Sequence, residues 1–124
     1  MLSQNVLVKA RKALETLYTD TCTIIEYQEY QKPNKSIGHR EVQVLENQPC
    51  MISFKTSNST DNTESASALS QIVKVFLAPE INVKAGSKLS ITRNGVTTDY
   101  KSSGEPALYD THQEITLELF KGWS

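Results

Sequence analysis

Two histidines, two cysteines and a scatter of carboxylates are the residues of this chain with which chemistry could be done. His39 and His112 are the first candidates for a general base near neutral pH. Asp110-Thr111-His112 could orient an imidazole, but no Ser or Cys stands in a nucleophile-elbow pattern. Both histidines are therefore expected to serve turns. Cys22, Cys50, His39 and His112 stand singly rather than at ligand spacing, so neither a metal nor a cofactor is expected. Glu26, Glu29, Glu114 and Glu118 fall among alternating apolar residues and are expected on solvated strand faces. A carboxylate pair that converges in space, as glycosidic chemistry needs, stays open as an alternative. Gly86 and Gly95 belong to turns, and no glycine-rich phosphate cradle is present. Tyr27, Tyr30 and Tyr100 could stack on bases, but Lys and Arg are spread along the chain rather than clustered, and half-buried strand tyrosines are expected. Cys22 and Cys50 are expected to be buried free thiols, with a cross-strand disulfide as the lesser option. The chain carries no recognisable catalytic equipment.

The elements that would have to position any site are short and mostly β. At 124 residues and a formal net charge of −1, the chain suits one domain with one modest core. Its charge offers no electrostatic footprint for nucleic acid or anionic lipid. No apolar stretch approaches a membrane span, and the charged start MLSQNVLVKARKALE does not read as a signal peptide, so no membrane partner is expected.

Residues 1–18 read as an N-terminal helix capped by Ser3, with Val6, Leu7, Ala10, Leu14 and Leu17 on one face. That face is expected to pack on the chain's own barrel. Strands are expected at Thr21–Tyr30, Gly38–Glu46, Cys50–Lys55, Gln71–Leu77 and Glu114–Phe120, with a corner at Asn47-Gln48-Pro49. Between Lys88 and Lys101, two alternating runs flank Asn94-Gly95, a strong signal for a type I′ hairpin. One helix and six to seven short strands predict a small antiparallel β-barrel or sandwich in a single domain, residues 1–124. Its body would be residues 20–55 and 71–121.

Residues 56–70, TSNSTDNTESASALS, interrupt this pattern with no aromatic, Pro, Gly or basic residue. Such a segment cannot bury enough apolar surface to offset its ordering entropy, so a mobile loop is expected. A compact domain rarely carries so long a loop without a use for it.

The order of elements resembles the head-completion proteins of long-tailed bacteriophages, the head–tail joining or stopper proteins. QPCMISFK, FLAPEINVKAGSKLSIT, SGEPALYDTHQEI and the ELFKGW ending resemble small minor structural proteins from head–tail gene clusters of phages and prophages of Gram-positive bacteria. The resemblance implies a non-enzymatic virion component at the head–tail interface, made in the bacterial cytoplasm and assembled as a homo-oligomeric ring. Its implied partners are portal or adaptor proteins on one side and tail-terminator or tail proteins on the other. It also implies that Thr56, Ser57, Asn58, Ser59, Thr60, Asp61, Asn62, Thr63, Glu64 and Ser65 form a channel loop past which packaged DNA moves without specific binding. Phe120 and Trp123 are candidate interface residues, although Trp123 could equally close its own barrel end. A tail terminator, another connector subunit, or a free-standing β-barrel binding module for peptide, carbohydrate or single-stranded nucleic acid are the alternatives. A small hydrolase with a convergent carboxylate site is a third class.

Overall fold

The computed structural model describes residues 3–58 and 69–123. One helix, α1 (Gln4–Glu15), precedes seven strands. These are β1 (Asp20–Gln31), β2 (Ile37–Asn58), β3 (Leu69–Leu77), β4 (Lys88–Arg93), β5 (Val96–Ser102), β6 (Ala107–Leu108) and β7 (Gln113–Leu119). All pairings are antiparallel, in the order β3-β2-β1-β4-β5-β7, and β3 pairs back onto β7 so that the sheet closes. β6 adds a two-residue flap to β7. The expected fold class holds.

Strand alternation sets the interior. Cys22 and Ile24 of β1, Val75 and Leu77 of β3, Leu89 and Ile91 of β4, and Ile115 of β7 point inward and are fully buried or nearly so. Each of the Ile, Leu and Val side chains among them contributes about 1.5–3 kcal/mol of burial. Cys22 and Cys50 lie in this core as free thiols, in hydrogen-bonding contact with each other. That contact, and then burial, pushes the Cys22 thiol upward, which keeps it protonated and unreactive.

Two buried polar side chains tie the body together. Asp20 Oδ2 accepts from the Ile52 amide at 3.0 Å, where β2 continues past the start of β1. Gln113 Nε2 donates to the carbonyls of Ala78 (2.8 Å) and Ile81 (2.6 Å), anchoring the chain that leaves β3.

The expected corner at Asn47-Gln48-Pro49 is instead the middle of one 22-residue strand. β2 carries more residues than β1 opposite it, and register shifts between Cys22 and Ile25 absorb the excess as bulges. Asn47 takes φ +50°, and its amide donates to Thr23 Oγ1 at 3.3 Å. Asn94 and Gly95 take φ +53° and +79°, as the type I′ turn between β4 and β5 demands.

The helix lies against the body, but lightly. Ser3 Oγ caps it by accepting from the Val6 amide at 3.2 Å, as read from sequence. Yet no α1 residue is buried, and Val6 and Leu17 stay half exposed. Strand side chains already fill the closed sheet, so the helix lies outside it, with Leu7 and Leu14 only partly covered. Among the described residues, the side-chain bond that ties α1 to the body is the ion pair of Arg11 with Glu80.

Candidate functional site

The register of β2 places the most distinctive surfaces. At about 3.3 Å per residue, its length is on the order of 70 Å, longer than the closed body needs. Its first part, Ile37–Gln43, pairs with Ile25–Gln31 of β1. Its last part, Met51–Asn58, pairs with Leu69–Phe76 of β3. β1 meets β4 only over Thr21–Ile25, and β3 meets β7 only over Val73–Leu77. The chain therefore extends two two-stranded ribbons beyond the closed part, one from each half of β2.

The β2–β3 ribbon contains the edges of the predicted channel loop. Thr56, Ser57 and Asn58 are strand residues, paired with Gln71, Ser70 and Leu69. The loop boundaries of 56 and 70 are thereby corrected inward. Ladder pairing, which polar Ser, Thr and Asn can join in a suitable partner context, overrode composition here. Ser59, Thr60, Asp61, Asn62, Thr63, Glu64 and Ser65 lie outside the described residues, as does the rest of the segment to residue 68.

At the root of this ribbon the sheet splits. Phe54 belongs to the inward series of Cys50 and Ile52 but is 48% exposed, because the body ends beneath it. A cavity of about 530 Å³ opens between Phe54 and Val73 on one side and Tyr100, Leu117 and Leu119 on the other. On the opposite flank the Arg93 guanidinium lies 5.9 Å from the Phe54 ring centre and donates to the Ile52 carbonyl at 3.4 Å. Lys101, Glu118 and Lys121 also line this cavity.

The β1–β2 ribbon carries the other predicted residues. Trp123 lies parallel to Tyr27 at 4.8 Å between ring centres, and Tyr27 stacks on His39 at 5.2 Å. Phe120 meets Trp123 edge-on at 4.9 Å, with the Lys88 ammonium 4.8 Å from the Phe120 ring centre. Trp123 Nε1 donates to Glu41 Oε2 at 2.9 Å, and Lys88 Nζ donates to the same oxygen at 3.0 Å. These two donors, the indole first, hold the Glu41 carboxyl below its usual range. In the protomer both candidate interface rings are thus committed to their own chain.

The titratable side chains are distributed rather than gathered. His39 lies in β2, 3.6 Å from Glu29, rather than in a turn. His112 does lie in a turn, but its partners are Thr111 and Glu114, each at 3.0 Å, and not Asp110. Tyr109 stacks on its ring at 4.8 Å. Glu26 and Glu29 do not share an outer face, since three residues of strand put them on opposite sides. The Glu26 side chain is largely covered, 3.9 Å from Lys84, whereas Glu29 is open to solvent. Of the three tyrosines, Tyr100 is buried and Tyr27 is 44% exposed. Among the described residues, no group of three or more His, Cys, Asp or Glu is placed to hold a metal ion. No described helix is long and apolar enough to cross a membrane.

No family model and no curated protein matches the chain. Two solved structures share its fold. One is xkdH, a protein of the phage-like element PBSX from Bacillus subtilis. It is 9% identical, with a TM-score of 0.50 over 81% of this chain and 93% of that one. The other is SF1141 from Shigella flexneri 2a, 15% identical, with a TM-score of 0.54 over 82% of this chain and 92% of that one. At these identities the likeness is one of fold.

Proposed function

We propose that this chain is a structural protein of a phage or prophage particle. It acts at the head–tail interface as a ring subunit that closes the filled head and joins it to the tail. The observation that carries this reading is the shared fold with xkdH, a protein of a phage-like element, over 81% of this chain and 93% of that one. The ribbons give the fold a way to assemble, because they project strand edges and a half-open apolar root from a closed body. The mechanism is mechanical rather than catalytic. Body surfaces mate with the rings above and below, and the sequence between Asn58 and Leu69, STDNTESASA, is the channel element of this reading. Having no Lys or Arg, that segment does not hold DNA by phosphate contacts, so the genome can later pass.

The test is deletion of the gene from an inducible lysogen, with particles scored by electron microscopy. Free mature tails beside emptied or DNA-leaking heads are expected. Tails of irregular length would point to a terminator role instead, and normal infectious particles would refute the assembly reading.

A further inference from the structure

The β1–β2 ribbon offers two strand edges that no described strand of the chain occupies. β1 loses β4 after Ile25↔Lys88, and β2 gains β3 only at Met51. The Lys32 amide donates to the Ser36 carbonyl at 2.8 Å, which fixes the parity of the ladder below the turn. Antiparallel pairing alternates, so Tyr30, Gln28 and Glu26 are the residues hydrogen-bonded to β2. The backbone groups of Tyr27, Glu29 and Gln31 on β1, and of Ile37, His39 and Glu41 on β2, therefore point outward. Beside the β1 edge runs a groove of about 500 Å³, bounded by Glu26–Glu29 on one side and Lys84–Ser87 on the other. It continues the line that β4 leaves, and Lys101 and Trp123 complete its lining.

We infer that this groove and edge take the Ile37–Gln43 edge of a second copy of this chain, adding strand to strand from subunit to subunit. The two edges of one ribbon are complementary. Both expose odd-numbered backbone groups, so they dock with odd residues against odd, and side chains of one face meet their counterparts. Glu29 then lies on the same face as the neighbour's His39, and Glu26 on the same face as the neighbour's Arg40. The first of these pairings already occurs within the ribbon, where Glu29 stands opposite His39 at 3.6 Å. The β1 arm carries Glu29, open to solvent, and Glu26, which lies 3.9 Å from Lys84 across the groove, while the facing stretch of β2 carries Arg40 and His39. Glu41, which would otherwise oppose Glu29, is held by Lys88 and Trp123. The two edges are different surfaces of one chain, so the contact is head-to-tail and can close into a ring. The inference rests on the self-association part of the proposed function and not on its place in a virion.

The test uses the purified full chain, followed by sedimentation from micromolar to millimolar concentration and by amide hydrogen exchange. Association is expected to slow exchange at Tyr27, Glu29, Gln31, Ile37, His39 and Glu41. Glu29→Pro removes an outward amide that the ribbon does not use, and is expected to weaken association at least about tenfold. Should that variant misfold, Arg40→Glu sets like charges together and is expected to weaken association. Adding Glu26→Arg to it is expected to restore the contact. A chain that stays monomeric throughout, or association indifferent to these variants, would overturn the inference. Either result leaves the lysogen experiment to decide the virion role separately.

Discussion

At the scale of single residues, Trp123 reports on its own environment, because it is the one tryptophan in the chain. Its indole N–H and the Lys88 ammonium depress the Glu41 carboxyl. A carboxyl depressed in the folded state contributes stability that is complete above its unfolded value and is lost as pH falls through the folded one. Tryptophan fluorescence should hence stay constant through the ordinary glutamate range and change only below it. Glu41→Gln should remove that step while leaving the later acid unfolding, and a step that persists in this variant would detach the signal from Glu41. Asp20 and Gln113 make a different kind of contribution. Asp20→Ala leaves the Ile52 amide without its buried partner, and Gln113→Ala strands the carbonyls of Ala78 and Ile81. Each should cost about 1–3 kcal/mol in denaturant unfolding. Losses within a few tenths would mean that water replaces the lost side chain. Neither residue was legible beforehand, because a polar side chain at a strand start or end gives no sequence sign of a partner some thirty residues away. The thiols were legible, since Cys22 and Cys50 sit among residues that alternate inward.

At the scale of elements, local rules were readable where the pattern was self-contained. Asn94-Gly95 and the runs beside it gave the β4–β5 hairpin almost residue for residue, and Ser3 gave the helix start. They failed where a partner decides the outcome. Asn47-Gln48-Pro49 has turn composition, yet pairing of Gln48 and Pro49 with Cys22 and Thr21 keeps it in strand, and pairing with β3 extends β2 to Asn58. Alternation likewise gave no sign of β6, two residues held by Gln113 and Glu114. The helix is an intermediate case, because its apolar stripe is only partly covered, at Leu7 and Leu14, and no residue of it is fully buried. Deleting α1 removes an exposed ion pair, that of Arg11 with Glu80, and no buried side chain. Surface pairs contribute about 0–1 kcal/mol, and each partly covered leucine a fraction of the about 1.5–3 kcal/mol of full burial, so the truncated chain should lose about 1–3 kcal/mol. A loss of only about 0.5 kcal/mol or less in denaturant titration would show that the stripe contributes nothing to the body.

At the scale of the whole molecule, β2 links two ribbons to one body, and this separates what folds the chain from what its tips do. The core closes between β3 and β7 at Val73↔Leu117, well short of Asn58↔Leu69, where the described ladder ends. Adjacent antiparallel strands are about 4.8 Å apart, so Asn58 and Leu69 can be joined by a two-residue turn. Replacing residues 59–68 by Asn-Gly should therefore leave the thermal midpoint of the isolated chain within a few degrees. A cut extending into Thr56–Asn58 or Leu69–Gln71 should not be neutral, because it removes paired strand. This boundary makes the channel role testable without confusing it with folding. In the gene-deleted lysogen, the trimmed chain should restore joining of heads to tails but not retention of DNA, giving assembled particles that leak. Full infectivity with the trimmed chain would take the gate away from this segment. Failure to join heads and tails, from a chain that still folds, would instead assign the segment to the interface itself.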